Sequence, residues 1–402
     1  MSNVPEIQSF RKQALGMVAP LLQPLPSNPS VAFVWPTETC SIGCAHCSYN
    51  SKKQKDGKAT PVTLYPAELI KWLAGAGVKR FVACGGGEPL DEPHFVSEAI
   101  AKCAAHGLDF EIYTSGVSFA KPFLVKDYII GWQQQWKNKT REGQRFNVRL
   151  SLDAFHEELI GLEPLVEWIE AIHSHTPDWT VSIRSVRLEG DNSVNRLAEK
   201  LKGKLEKKND SSGFILLPGG KKVMVQWKGF VFEGRGKFKQ LERLGLKLNK
   251  EDEKVIAPYK DNWNKKNELG RPLSLHHAVS FHRIDLEIHA NCEVHILQSQ
   301  ATDLRLKFTE YSWEEIKNSY YRDPLLHCTI ENGLEGIACL LAAYKKTAAA
   351  PAGTIPFSIE KITDPNMLSW VTAKAILTNS NRFSYSQTLQ NQAARFLDLY
   401  AI

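Results

Sequence analysis

The sequence lacks a long apolar run: no window approaches the roughly 18 uncharged apolar residues that a membrane-spanning helix needs. It also lacks the features of a signal peptide, because Pro20 interrupts the apolar stretch from Leu15 to Leu22 and no small-residue cleavage site follows. Only eight cysteines occur among 402 residues, and just three of them are clustered. This is not the disulfide framework of a secreted protein, so we expect a cytoplasmic chain in a reducing compartment.

The positive charge of the chain is unevenly distributed. The net charge is +6, and the segment from Glu199 to Arg271 holds 19 Lys and Arg against 10 Asp and Glu. Such a segment favours an acidic substrate, a phosphate group or an acidic partner. A solvated surface is the alternative, since lysines predominate and aromatic residues are few. No membrane partner is expected, and a nucleic acid partner is not favoured.

Short β-rich runs alternate with amphipathic helical stretches between residue 30 and about residue 230. This alternation is typical of βα units that build a parallel sheet. Six units are too few to close an eight-stranded barrel, so we predict an α/β fold, a partial (β/α)6 TIM-like barrel with a smaller α+β C-terminal extension. The predicted strands are Val31 to Trp35, Arg80 to Ala83, Phe110 to Tyr113, Asn147 to Leu152, Thr180 to Val186 and Val223 to Phe232.

Composition and helix signals predict the organisation of the chain. Ser312 and Glu315 form a capping box before a helix that runs towards Tyr321. Pro66, and Asp91 with Pro93, are predicted to open two earlier helices, and Cys103 falls on the apolar face of the second. The predicted regions are a lead-in at 1–29, a core at 30–235, a linker or lid with a C-terminal cap at 236–350, and a tail at 351–402.

Three cysteines, Cys40, Cys44 and Cys47, form a C-x3-C-x2-C array directly after the first predicted strand. Three thiolates at this spacing can hold three irons of a 4Fe-4S cube and leave the fourth iron for a ligand that is not protein. The alternative is a zinc site completed by His46 or a distant His, in a zinc-stabilised binding protein without catalytic activity. A zinc ribbon usually needs a second cysteine or histidine pair, and no other two cysteines here lie within four residues of each other.

A glycine-rich turn follows the second predicted strand and reads Gly85-Gly86-Gly87-Glu88-Pro89, with Cys84 before it. Glycines permit close approach of the backbone to a ligand, and a carboxylate can receive an ammonium group. A tight turn or a phosphate-binding nest is the alternative.

These motifs, in this order, resemble the signature of radical S-adenosylmethionine (radical SAM) enzymes. The resemblance implies that Gly86, Gly87 and Glu88 bind the methionine part of the cofactor. It further implies that Ser151 and Asp153, which match a Ser-x-Asp motif, lie near the ribose. His46 occupies the place of a residue that is usually aromatic and packs near the adenine. Thr114-Ser115-Gly116 resembles the Thr-Asn-Gly of the family, and Arg184, favoured over Arg187, is expected to pair with the methionine carboxylate.

The resemblance also implies the chemistry. S-adenosylmethionine would bind the open iron of a 4Fe-4S cluster, and an electron from a ferredoxin or flavodoxin would drive its cleavage to a 5′-deoxyadenosyl radical, which removes a hydrogen atom from a C–H bond. Catalytic residues are unknown from the sequence. The candidates are Cys84, His156 and Glu157, and for the last two a helix-initiating acidic turn is the alternative.

The C-terminal part separates two substrate hypotheses. Residues Asp285 to Ile296 vaguely resemble the hairpin that opens a SPASM or twitch region, but only Cys292, Cys328 and Cys339 follow, which favours a cluster-free remnant that caps the substrate. The basic segment favours a ribosomal peptide substrate. The missing auxiliary cysteines favour a small molecule such as a sugar, amino acid or nucleoside.

Overall fold

The computed structural model divides the chain into two compact units. The core unit comprises residues 30–259 and 288–292, and the terminal unit comprises residues 1–29, 260–287 and 293–402. The residues that the structure describes are 4–19, 28–44, 47, 51–53, 64–119, 124–176, 178–228, 243–248, 284–296, 303–328, 340, 343–344, 365–380, 383 and 385–399. The predicted region boundaries near residues 235 and 350 lie outside them and stay predictions.

Strands of the core unit form an open, mostly parallel sheet, as the sequence predicts. Six parallel strands lie in the order β1-β4-β5-β6-β7-β11. The strands of the unit are β1 (Pro29–Val34), β2 (Thr39–Cys40), β3 (Lys52–Lys53), β4 (Arg80–Ala83), β5 (Asp109–Thr114), β6 (Phe146–Ser151), β7 (Thr180–Val186), β8 (Leu188–Glu189), β9 (Lys204–Asn209), β10 (Ser212–Leu216), β11 (Lys222–Lys228) and β12 (Lys247–Leu248).

Strands β9 and β10 extend this sheet beyond β11, and the sequence did not predict them. They pair antiparallel, β11 with β10 and β10 with β9. Strand β9 is rich in lysine and mostly exposed, with the burial pattern of an edge strand and no apolar alternation. Period-2 hydrophobicity is the signal by which strands are recognised, so a solvated edge strand escapes it.

Helices cover one face of the parallel strands. They are α2 (Pro66–Gly75), α3 (Pro93–His106), α4 (Val125–Trp136), α5 (Ala154–Ile160), α6 (Glu163–His175) and α7 (Ser193–Lys200). Beneath them the rings of Phe81, Phe110 and Phe146 pack across neighbouring strands, with centroids 5.8 and 5.0 Å apart. Cys103 is fully buried in α3, as predicted. Apolar residues at alternate strand positions fill this layer, which leaves the opposite face of the strands for polar groups.

The terminal unit holds α1 (Val4–Met17), β13 (Ile284–Ile288), β14 (Glu293–Ile296), β15 (Leu306–Lys307), α8 (Trp313–Tyr321), α9 (Pro365–Thr378) and α10 (Gln387–Leu399). The predicted capping box of Ser312 and Glu315 opens α8. Arg11 of α1 makes a buried two-pronged ion pair with Asp323, at 2.8 and 2.7 Å. Such a pair fixes geometry more than it adds stability.

No helix within the described ranges is long and apolar enough to cross a bilayer. Two residues singled out in the sequence, His46 and Cys339, lie outside those ranges.

Candidate active site

A cavity of about 290 Å³ opens at the carboxyl ends of the parallel strands. This is the edge at which α/β folds of this kind collect their functional groups. Of the residues predicted from the sequence, the cavity is lined by Cys40, Cys44, Cys47, Cys84, Gly87, Glu88, Ser151, Asp153, His156 and Arg184. Gly86, Glu157 and Arg187 are not among its lining residues.

The cysteine loop is closed at its base by two short strands. Strand β2, which contains Cys40, pairs in parallel with β3, and the backbone nitrogen of Cys47 donates to the carbonyl of Cys44 at 3.1 Å. The three cysteines are half-buried and none forms a disulfide. Burial, and then the negative charge of Glu88, raise the pKa of the Cys40 thiol to about 12. A metal cation removes the proton from a coordinating thiol outright. Three thiols on one loop beside a cavity are thus a donor set that fits a 4Fe-4S cluster.

Asp91 fastens this loop to the turn after β4. Its carboxylate accepts hydrogen bonds from the backbone nitrogen of Ser41 at 2.8 Å, the hydroxyl of Ser41 at 2.7 Å and the hydroxyl of Ser118 at 2.6 Å. The prediction that Asp91 opens α3 is wrong: Asp91 ends a 3-10 turn at Pro89–Asp91, and the N-cap position of α3 belongs to Glu92. A buried carboxylate is more stable with three donors than as a cap exposed to water, so packing decides its role.

Two glycines of the turn are required by the chain itself. A Cβ on Gly87 would lie 1.8 Å from the carbonyl oxygen of Thr39, and a Cβ on Gly86 would lie 2.7 Å from the Trp35 ring. The nitrogen of Glu88 donates to the same Thr39 carbonyl at 3.2 Å. The turn therefore packs directly on the strand that leads into the cysteine loop. The predicted contact of these glycines with a cofactor stays a prediction.

Glu88 is buried and holds the carboxyl end of β5. One carboxylate oxygen accepts from the Thr114 hydroxyl at 2.5 Å and the Leu90 nitrogen at 3.1 Å, and the other accepts from the nitrogen and hydroxyl of Ser115 at 3.0 and 2.8 Å. These four donors fill the acceptor sites of a carboxylate. An ammonium group could bind Glu88 only by displacing one of them. Burial raises the pKa of Glu88 to about 7, although the hydrogen bonds act in the opposite direction.

Asp153 and His156 form a pair of an acidic and a basic side chain in the cavity. Asp153 is the N-cap of α5 and accepts from the nitrogens of Phe155 and His156, and it contacts His156 Nδ1 at 2.9 Å. Burial disfavours the imidazolium, but the charges of Asp153 and Cys44 outweigh burial and hold the pKa of His156 well above its ordinary value. These interactions favour the protonated form of His156, next to Cys44 of the loop. Asp153 and His156 at the start of α5 both line the cavity, and a catalytic role for His156 stays a prediction.

Glu157 does not line the cavity, and its carboxylate pairs with an arginine instead. Arg196 donates to both of its carboxylate oxygens, at 2.7 and 2.5 Å. Partial burial opposes this pairing, but the hydrogen bonds from Arg196 and Ser193 hold the pKa of Glu157 below its ordinary value. The next residue, Glu158, pairs with Arg243. These contacts favour the helix-initiating acidic turn over a catalytic role for Glu157.

Sequence reasoning missed several residues of the cavity wall, among them Tyr113, Arg149 and Lys228. For Arg149, strand alternation could have given the signal: it precedes Ser151 by two positions on β6, so both residues lie on one face of the sheet. The guanidinium carbon of Arg149 lies 2.9 Å from the centre of the Tyr113 ring.

Comparisons with known proteins place the family. Residues 35–188 match the family model described as Radical SAM superfamily. The curated proteins contain no sequence match. Among solved structures, SuiB from Streptococcus suis is similar at 12% identity and a TM-score of 0.43, over 78% of this chain and 71% of that one. A histidine-tagged anSMEcpe with bound AdoMet is similar at 11% identity and a TM-score of 0.41, over 91% of this chain and 99% of that one.

A domain of this superfamily implies S-adenosylmethionine and a 4Fe-4S cluster as cofactors, and a source of electrons. The matched range begins at Trp35, directly before the cysteine loop, and ends after β7. It thus contains the loop, the glycine-rich turn, the Ser151 to Asp153 segment and Arg184. Residues 35–188 are therefore a domain of the radical SAM superfamily, and the chain is an enzyme.

Proposed function

We propose that Cys40, Cys44 and Cys47 hold a 4Fe-4S cluster with one open iron, and that the enzyme acts on a C–H bond of a peptide or another natural product. When bound, the cluster and S-adenosylmethionine supply a 5′-deoxyadenosyl radical, with electrons from a ferredoxin or flavodoxin. One observation carries the proposal: the three thiols, the glycine-rich turn and the Ser151 to Asp153 segment line the same cavity.

Residues at the ends of different strands have different proposed roles. Asp91 orients the cysteine loop through Ser41, and Glu88 orients the end of β5 through Thr114 and Ser115. On β6 and β7, Ser151 lies opposite Arg184 in the register. A hydroxyl and a guanidinium are suited to a ribose hydroxyl and a carboxylate, respectively. His46, Gly86 and Gly87 complete the proposed cofactor set.

Two substrate classes follow from different observations. The lysine-rich strand β9, at one edge of the sheet, supports a peptide with acidic residues. The scarcity of cysteines in the C-terminal part, where only Cys292, Cys328 and Cys339 follow, supports a small molecule such as a sugar, amino acid or nucleoside.

Anaerobic reconstitution tests the cluster assignment. The wild-type protein should bind iron and sulfide and should form 5′-deoxyadenosine when S-adenosylmethionine and a reductant are added. Cys44→Ala should lose both properties, whereas Cys103→Ala, which removes a thiol buried in α3, should keep both. A colourless protein with one tightly held zinc, or 5′-deoxyadenosine formation by the Cys44 variant, would contradict the proposal.

A further inference from the structure

Three cations stand together on one wall of the cavity, on three neighbouring strands. They are Arg149 of β6, Arg184 of β7 and Lys228 of β11. In the register, Ser151 lies opposite Arg184, and Val186, two residues beyond Arg184, lies opposite Lys228. Residues of neighbouring strands at these offsets share one face of a sheet and lie within reach of one another. The three positive groups therefore converge on one space.

The neighbouring positive charges on this wall lower the pKa values of Arg184 and Lys228. Burial, and then the charge of Arg149, lower the pKa of Arg184 to about 10. Partial burial, and then the charges of Arg184 and Arg149, lower the pKa of Lys228 to about 8. Like charges brought together in this way repel one another, and an anion between them would reverse the penalty.

Hydrogen bonding also leaves a donor for a ligand. Arg184 donates from Nη1 to the side chain of Gln226 at 2.9 Å, but its buried Nε has no acceptor. Within the described part of the chain, neither Arg184 nor Lys228 has a carboxylate at ion-pair distance. A guanidinium with a buried, unsatisfied N–H is the group that binds a carboxylate or phosphate in a fork.

The cofactor accounts for only part of this charge. S-adenosylmethionine carries a single carboxylate, for which one cation suffices. The proposed function assigns that carboxylate to Arg184, so the cofactor does not require Arg149 or Lys228. This wall of the cavity thus offers two further cations to a substrate.

We infer that Arg149 and Lys228, next to Arg184, form an oxyanion subsite for the substrate, which therefore carries a carboxylate or phosphate group. This inference rests on the proposed function, because it assigns Arg184 of the same cavity to the cofactor.

Calorimetric titration of the reconstituted protein with inorganic phosphate, in the presence of saturating S-adenosylmethionine, tests the subsite. The wild-type protein should bind phosphate, and Lys228→Gln should weaken binding about tenfold or more. Lys228→Arg should retain it. The matched control is Lys222→Gln, which removes the same charge from the other end of β11, where Lys222 lies 4.6 Å over the Phe214 ring. Arg149→Gln serves as the second variant if Lys228→Gln does not fold.

The outcomes separate the inference from the proposed function. Equal loss in Lys222→Gln, unchanged binding in Lys228→Gln and Arg149→Gln, or loss of phosphate binding when S-adenosylmethionine is added would each overturn the subsite. A parallel titration with succinate distinguishes the two oxyanion sources, and binding of neither probe by the wild type overturns the inference. Iron content and 5′-deoxyadenosine formation, measured on the same preparations, report independently whether the proposed function fails.

Discussion

Asp91 accepts two hydrogen bonds from Ser41, one from its backbone nitrogen at 2.8 Å and one from its hydroxyl at 2.7 Å. Ser41 is the residue after the first cysteine of the loop, and its hydroxyl in turn accepts from the nitrogen of Phe119. The carboxylate thereby joins the cysteine loop to segments that follow β4 and β5. Since a cluster site needs its thiols preorganised, this contact couples the packing of the sheet to metal binding.

Removing the Asp91 carboxylate should weaken the attachment of the cysteine loop, while the chain as a whole stays folded. Asp91→Ala deletes three hydrogen bonds to a charged, buried acceptor, and we expect a loss of about 2 to 3 kcal/mol in the free energy of unfolding. Iron retention after reconstitution should fall at the same time, and both are measurable, by urea denaturation and by iron analysis. Asp127→Ala, at an exposed position of α4, is the matched control. Full iron content in the Asp91 variant would argue against the coupling.

Glu88 should make stability depend on pH. Its folded-state pKa is about 7, above the ordinary value of 4.5, so between these values the folded state keeps a proton that the unfolded chain releases. The resulting stabilisation is present in full below about pH 4.5 and is lost as the pH rises through 7, by on the order of 3 kcal/mol.

Urea denaturation of wild type and Glu88→Gln across this pH range measures that dependence. The wild type should lose stability relative to the variant as the pH rises, because the amide cannot ionise. Parallel profiles for the two proteins would show that the Glu88 carboxyl titrates in the same way in the folded and unfolded chains.

Local patterns predicted the strands well, because they depend on apolar residues at neighbouring positions. Arg80 to Ala83 and Thr180 to Val186 coincide with β4 and β7, and the other predicted strands overlap β1, β5, β6 and β11. The exception is instructive. Strand β9 is formed by its pairing with β10, across a register shift near Ser212, and no apolar face marks it in the sequence.

The candidate site could be predicted only as far as motifs follow one another along the chain. Their order was enough to bring the cysteine loop, the glycine-rich turn and Ser151 to one sheet edge. The role of Asp91 depends on Ser41, 50 positions earlier in the sequence, and the local pattern instead predicted a helix start. Lys228 lies at the end of the last parallel strand, where nothing local distinguishes it from other lysines of the basic segment.

Glu157 should prove dispensable for chemistry. Its carboxylate is occupied by Arg196, which is itself half exposed, and it does not line the cavity. We expect Glu157→Gln to form 5′-deoxyadenosine within about twofold of wild type and to change stability by less than about 1 kcal/mol, as exposed pairs do. Arg196→Gln should behave alike. A loss of activity of about a hundredfold in the Glu157 variant alone would restore it as a catalytic candidate.

Gly87 should tolerate no side chain at all. The Cβ of an alanine would lie 1.8 Å from the Thr39 carbonyl oxygen and 2.7 Å from its carbon, and backbone atoms cannot turn aside as a flexible side chain can. Gly87→Ala must therefore push the turn away from Thr39, and we expect a cost of about 3 kcal/mol or more together with lost iron binding. Gly131→Ala is the matched control: nothing lies within 4 Å of its Cβ, and alanine favours the α4 helix by about 1 kcal/mol. Urea denaturation should thus shift in opposite directions for the two variants, and a Gly87 variant as stable as wild type would mean that the turn does not rest on Thr39.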